Sequence, residues 1–175
     1  MKDRIHQLTR IIDHSKNKRN KIRAACILLN NYPTQMPIHT LVHVISFIDF
    51  NDVSIEPNIR QLIDRAFAQR EDDETYETLL QLIQSRNSLK RHIGLEHIAQ
   101  FNRKEAIPHL LHIIHKHKFD WFDKRQAIWA LKDIQDDRIY ETLLKLQRTK
   151  AGRAYNYQFI IDAVMENYQA KFLHS

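Results

Sequence analysis

The sequence predicts an all-α fold, an α-solenoid of about five antiparallel helix hairpins. Three observations predict it. Apolar residues recur every three or four positions along almost the whole chain, which is the period of a helix. The 175 residues include only two glycines and four prolines, fewer than sheets joined by tight turns require. Segments near 31 to 33 residues long also resemble one another along the chain.

The helical period divides the chain into ten predicted helices. Pro33 and Pro37 bracket a turn, because proline inside a helix loses a hydrogen bond, and Pro57 fits the first turn of a helix. Side-chain oxygens that can cap helix N-termini are predicted at Asp73, Ser88, Asn102, Asp123 and Asp136. The predicted helices span residues 3–14, 18–32, 38–49, 56–70, 74–86, 88–101, 104–117, 123–135, 137–149 and 153–171.

The repeated unit is clearest when residues 91–101 are compared with residues 124–134, at a shift of 33. Both segments begin with a basic residue, and Gly94 aligns with Ala127. A further unit aligns at a shift of 31, with Arg60 under the first basic residue. We expect a small residue at the Gly94 position because the first helix of each unit crosses a neighbour closely there.

The repeat therefore reads as a basic residue, a small residue, two spaced apolar residues, and a second helix that begins Ala-Ile-Pro-x-Leu-Leu at residues 106–111. This pattern resembles the short HEAT-like repeat of the phycobilisome-lyase type. The resemblance implies one domain over residues 1–175. It assigns the best repeats to 56–86, 88–118 and 123–149, a degenerate repeat with a cap to 1–50, and a C-terminal cap helix to 153–175.

Composition limits the kinds of partner and the cellular compartment that we expect. The net charge is +6, and residues 88–175 carry 15 Lys and Arg against 10 Asp and Glu, so acidic proteins or nucleic acids are suitable partners. No apolar stretch has the length of a membrane span, so no membrane partner is expected. The single cysteine, Cys26, lies in an apolar run and is predicted to be a small core residue. We expect a cytoplasmic protein.

Eleven histidines raise the question of a metal site. His109, His112, His115 and His117 lie close together in one predicted helix, and the first three follow a polar strip opposite its apolar residues. A zinc site needs further ligands and partners that orient them, and neither this group nor the earlier His39 and His43 pair supplies a zinc-protease motif. We interpret these histidines as a solvated polar face, with no metal and no cofactor.

Enzymes built on similar repeats were compared motif by motif. The di-iron hydroxylases that resemble deoxyhypusine hydroxylase require His-Glu pairs, and this sequence has no His-Glu dipeptide. Nothing marks a tetrapyrrole pocket of the bilin lyase kind. Residues 119–128 resemble a Trp-x-x-Arg-x-Ala-Ile segment of DNA-alkylation-repeat glycosylases, but residues 87–92 lack the Trp and catalytic Asp of that family. The prediction is a protein that is not an enzyme.

The predicted binding face is the exposed side of the second helices, which line the concave surface of a helical solenoid. Its members are His39, His43, Gln81, His109, His112, Lys116, Lys145 and Arg148, with Lys150 and Arg153 extending it. Trp121 and Phe122 are candidate aromatic anchors for a partner, although packing between repeats is the alternative reading of these rings.

The leading functional hypothesis is a scaffold that binds another protein, one with an acidic surface, on this concave face. The alternative is a module that binds DNA phosphates and resembles the alkylation-repeat proteins without their catalytic Asp. A second basic cluster near the N-terminus, which includes Lys16 and Lys18, belongs to that alternative, because two separated clusters can straddle a duplex.

Overall fold

The structure, a computed structural model, describes residues 1–48, 58–116, 119–134, 136–149 and 155–173, with the backbone alone at 133, 155–156 and 172–173. This part of the chain contains ten α-helices and no strand, so the predicted all-α helical-repeat class is confirmed. The helices are α1 (Lys2–His14), α2 (Lys18–Asn31), α3 (Ile38–Phe47), α4 (Ile59–Ala68), α5 (Asp73–Ile83), α6 (Ser88–Ile98), α7 (Ile107–His115), α8 (Trp121–Ala130), α9 (Asp137–Gln147) and α10 (Tyr155–Tyr168).

The helix bounds differ from the prediction mainly at their ends. Helix α8 begins at Trp121 rather than at residue 123, which places both predicted aromatic anchors in its first turn instead of in the preceding loop. Short 3₁₀ turns, Ala99–Phe101 and Leu131–Asp133, follow α6 and α8 and account for the longer predicted spans. The predicted ends at 49, 56, 117, 135 and 153, and Pro57, lie outside the described residues.

Four of the five predicted N-caps were wrong, and in three of these the capping residue lies one or three positions earlier than expected. Asp72 accepts from the Thr75 N–H at 2.8 Å ahead of α5, so the prediction of Asp73 was wrong. Asn87, not Ser88, caps α6 by accepting from the Lys90 N–H at 3.1 Å. The remaining corrections are that Asp120 replaces Asp123 at α8, and that Asn102 adopts a left-handed conformation after a 3₁₀ turn. Asp136 caps α9 as predicted.

The described chain divides into two compact units, residues 1–78 and 79–175, and the boundary falls within α5. In the first unit, α1 packs on α2 and α3, and α2 packs on α4. Arg70 connects the end of α4 to the segment between α2 and α3. Its buried guanidinium donates to the carbonyl of Ala66 in α4 and to the carbonyls of Pro33 and Met36 in that segment. Burial lowers the pKa of Arg70 below its ordinary value.

In the second unit, the first helices of successive pairs pack on each other, α6 on α8 and α8 on α10, while α7 also packs on α8. Gly94 lies where α6 approaches the end of α5. A Cβ there would stand 2.7 Å from the Ile83 Cγ2, 2.9 Å from the Ile83 backbone nitrogen and 3.0 Å from the Leu82 Cβ. The predicted need for a small residue at this crossing is confirmed.

Helix α10 is fastened to α9 by polar contacts. The Asp162 carboxylate accepts from the Gln147 side chain at 2.7 Å and from the Gln158 side chain at 2.8 and 2.9 Å. At the other end, the Tyr168 hydroxyl accepts from the Asp136 N–H at 3.1 Å, and its ring stacks on Tyr140 with centroids 6.0 Å apart.

Phe159 on α10 is exposed over 71% of its surface. One packing prediction was wrong. Cys26 was expected in the core, but it is half-buried, because the apolar side of α2 is completed by Ala24, Ala25, Leu28 and Leu29 instead. Across the described residues, no helix has the length and hydropathy needed to span a membrane.

Candidate interaction surface

A buried ion pair joins α6 to α8. The Asp123 carboxylate is fully buried, and its Oδ2 accepts from Arg91 Nε at 3.1 Å and from Nη2 at 2.6 Å. The Arg91 Nη1 also donates to the carbonyls of Ser85 and Arg86, both at 3.0 Å. One guanidinium therefore links the chain that follows α5 to helices α6 and α8, the first helices of successive helix pairs.

His92 adds a third group beside this pair. Its Nε2 lies 3.2 Å from the Asp123 Oδ1, but the two atoms are not aligned for a hydrogen bond, so the contact is an ion pair only when His92 is protonated. His92, Asp120 and Asp123 place ligand atoms within 4.8 Å of one another, the arrangement that a metal ion would require. However, Asp120 accepts from the Asp123 N–H at 2.8 Å and Asp123 is neutralised by Arg91. Asp120 and Asp123 thus each have a partner within the fold.

Aromatic rings pack against His92, beside the ion pair. The Phe122 ring lies against His92, with centroids 4.4 Å apart, and Trp121 packs edge-on to Phe122 at 6.0 Å. The Arg125 guanidinium lies 5.0 Å from the centroids of both rings. The two predicted anchors differ in exposure. Phe122 is half-buried and supports the ring of Trp121, which is 50% exposed and available for contact with a partner.

One side of helix α8 carries two exposed rings and, beside them, two half-buried cations. Trp121, Arg125 and Trp129 are spaced four residues apart, and Lys132 follows in the 3₁₀ turn, so all four project within one side of the helix. Trp129 is 44% exposed, and the Lys132 Nζ lies 4.6 Å from its ring centroid. We call these four residues the α8 ridge. The opposite side of α8 is buried and contains Asp123, Ala127 and Ala130.

The predicted second-helix residues of the second unit mostly lie at the surface. Gln81 on α5, His112 on α7, Lys116 just after α7, Lys145 on α9 and Arg148 just after α9 are exposed, whereas His109 on α7 is half-buried. His112 makes an edge contact with Phe119 at 5.9 Å. Their membership of one binding face stays a prediction.

The first unit holds the other two predicted members. His39 is exposed on α3. His43 is half-buried, its Nδ1 lies 3.1 Å from the Asp13 Oδ1 of α1, and its ring makes an edge contact with Phe47 at 5.4 Å. His43 therefore has an internal partner. His117, Lys150 and Arg153 lie outside the described residues.

Sequence reasoning missed two features of this region. Trp129 was not singled out, although its position eight residues after Trp121 places both rings on one helix side once the helix is known to start at Trp121. Asp123 was assigned to a cap, because its pairing with Arg91 joins residues 32 positions apart and leaves no local signal.

Comparison with known protein families agrees with the helix pairing. The family model described as PBS lyase HEAT-like repeat matches residues 123–149. The protein carries a HEAT-like repeat. This HEAT-like repeat corresponds to α8 and α9, so it contributes most of the α8 ridge from its first helix and Lys145 and Arg148 from its second. No curated protein matches the chain significantly.

Proposed function

We propose that the protein is a non-catalytic scaffold that binds another protein on the exposed side of its second helices. The observation that carries this proposal is the two-sided character of α9. Ile139 and Leu143 are buried against the fold, whereas Glu141, Lys145 and Arg148 on the other side face solvent.

The charges on this side are available to a partner. The ion pair between Lys145 and Glu141 spans 3.9 Å, with side chains 80% and 71% exposed. A pair so exposed contributes little to folding, because water screens both charges. A carboxylate on a partner protein can therefore replace Glu141 at small cost.

Helix α7 supports the same interpretation. It buries Ile107, Leu110 and Ile113 on one side, while His112 is exposed on the other and Lys116 is exposed beyond its end. Two successive second helices thus offer basic or imidazole side chains to solvent, which suits a partner that carries acidic groups.

We propose a non-catalytic role because the acidic side chain of Asp123 on α8 is buried and ion-paired. Asp123 is sealed from solvent and paired with Arg91 through its Oδ2, so its carboxylate has no access to a substrate. Its role in joining α6 and α8 accounts for its burial without a reaction.

The alternative function is binding to nucleic-acid phosphates, which the exposed Lys145 and Arg148 also favour. The two proposals differ in their response to a second basic cluster. In the phosphate-binding alternative, the exposed Lys16 and Lys18 of the first unit contribute to affinity as well as the second-helix cations.

The test is affinity capture from a cell extract with three baits: the wild-type chain, Lys145→Glu/Arg148→Glu, and the charge-matched control Lys16→Glu/Lys18→Glu. We expect one protein to be retained in stoichiometric amount by the wild type and the control, and to be lost from the first variant. In parallel, a fluorescent duplex is titrated from about 50 to 200 mM salt. Tight binding that falls steeply with salt and is weakened by both variants would replace the proposal with the phosphate-binding alternative.

A further inference from the structure

The α8 ridge is the second exposed surface of the HEAT-like repeat, and the second-helix face does not explain it. The described residues include four large apolar side chains that are exposed, and two of them, Trp121 and Trp129, lie on this ridge. Tryptophan is enriched at the centres of protein interfaces, because its large ring combines apolar area with a polar N–H.

The ridge is held in place before any partner arrives. Trp121 rests edge-on against Phe122, Phe122 lies against His92, and His92 is adjacent to the buried Asp123. Arg125 lies over both Trp121 and Phe122 at 5.0 Å. Rings that are already ordered lose little side-chain entropy on binding, so their contact area converts more fully into affinity.

The charge of the ridge selects the partner. Arg125 is positioned by ring faces, and among the residues that the structure describes no carboxylate lies within ion-pair distance of it. Lys132 adds a second positive charge beside Trp129. A complementary surface therefore supplies a carboxylate for Arg125 and apolar side chains for the rings.

We propose that the α8 ridge is a docking surface for an acidic amphipathic helix of a partner protein. This inference rests on the proposed function, that the protein binds another protein, and adds the surface and the chemistry of the partner. Eight residues of helix separate Trp121 from Trp129, a distance of about 12 Å, which matches apolar side chains seven or eight residues apart on a partner helix.

A protein segment fits the ridge better than a nucleic-acid base. Stacking a base requires an open ring face, and the Arg125 guanidinium lies over the Trp121 ring that a base would use. An acidic side chain, in contrast, bonds to the outer edge of the guanidinium while the cation stays on the ring. Binding of single-stranded nucleic acid is therefore treated as a competing outcome, which the oligonucleotide in the following experiment tests.

The chain offers a direct readout, because its two tryptophans are the two ridge tryptophans. The probe is a synthetic helical peptide of about 15 residues, rich in glutamate, with leucines seven residues apart. Its controls are the same peptide with glutamine for every glutamate and an oligonucleotide of single-stranded DNA. Each is titrated against the full chain while acrylamide quenching of tryptophan fluorescence is measured.

We expect the acidic peptide to protect both tryptophans from acrylamide, the glutamine peptide to fail, and Arg125→Glu to weaken binding by about tenfold or more. Arg4→Glu, the same charge reversal at an exposed position of α1, is the matched control and keeps wild-type affinity for the peptide. Thermal melts verify folding, and Arg125→Gln replaces the glutamate variant if that variant does not fold.

Three results would overturn the inference: no protection at about 1 mM peptide, equal affinity of wild type and Arg125→Glu, or tighter protection by the oligonucleotide than by the peptide. These results leave the proposed function standing if the captured protein still depends on Lys145 and Arg148. Conversely, failure to capture any protein contradicts the proposed function, whatever the peptide does.

Discussion

Arg91 on α6 and Asp123 on α8 form a buried ion pair between two successive helix pairs, with the Arg91 Nη2 2.6 Å from the Asp123 Oδ2. The side chains are 10% and 0% exposed. The first helices of adjacent repeats are thus joined by a directional polar contact as well as by apolar packing. Such a contact fixes the register between repeats, because the fork of the guanidinium accepts few alternative positions.

Removal of one member of this pair should be costly. Asp123→Asn leaves the buried Arg91 without its counter-charge, and we expect the free energy of unfolding to fall by about 3–5 kcal/mol, measured by urea denaturation. The double variant Arg91→Met/Asp123→Leu should recover a large part of the loss, because it removes both charges together. A loss below about 1 kcal/mol in the single variant would show that the pair contributes little.

Gly94→Ala tests the close approach of α6 to the end of α5. Alanine favours a helix by about 1 kcal/mol over glycine, so propensity alone predicts stabilisation. The new Cβ would meet the backbone nitrogen of Ile83 at 2.9 Å, and backbone cannot rotate away. We therefore expect a net loss of about 1–3 kcal/mol in chemical denaturation. An unchanged or raised stability would contradict the packing described for this crossing.

Acid stability should depend on Asp136. The side-chain hydrogen bond from Arg138, together with the Arg138 N–H and the charges of Arg138 and Lys104, lowers the pKa of Asp136 below its ordinary value of 3.8, although burial opposes this. A depressed pKa in the folded state means that the carboxylate stabilises the fold above 3.8, and that this contribution is lost as the pH falls through the folded-state pKa.

The variant Asp136→Asn keeps a capping oxygen and removes the charge. We expect it to be less stable than the wild type at pH 7, with the difference narrowing below pH 3.8 in melts recorded across the acid range. A difference that is constant with pH would mean that Asp136 acts through its cap alone.

The exposure of the α8 ridge predicts how strongly a quencher acts on the tryptophan fluorescence of the unbound protein. Trp121 and Trp129 are 50% and 44% exposed, so acrylamide should quench most of the tryptophan fluorescence of the unbound chain. Trp121→Phe and Trp129→Phe should each remove a comparable share of the signal, without a large change in stability. Emission that resists acrylamide in the wild type would place the rings in the core instead.

The architecture was predictable from the sequence because helical periodicity and the spacing of small residues are repeated along the chain. Gly94 is an example, since its alignment with Ala127 identified a close crossing. The ridge was not predictable in the same way. Its first member, Trp121, depends on where α8 begins, and that start is set by Asp120 rather than by the expected Asp123. Asp123 instead pairs with Arg91, 32 residues earlier in the chain, and no local sequence pattern indicates such a contact.

The central claim is that the second-helix face binds another protein. The most direct test is to measure, by isothermal titration calorimetry, the dissociation constant of the captured protein for three forms of the chain. The account predicts that Lys145→Glu/Arg148→Glu binds at least about tenfold more weakly than the wild type, while Lys16→Glu/Lys18→Glu, with the same change in charge, binds as the wild type does. Equal affinities for all three forms would contradict the claim.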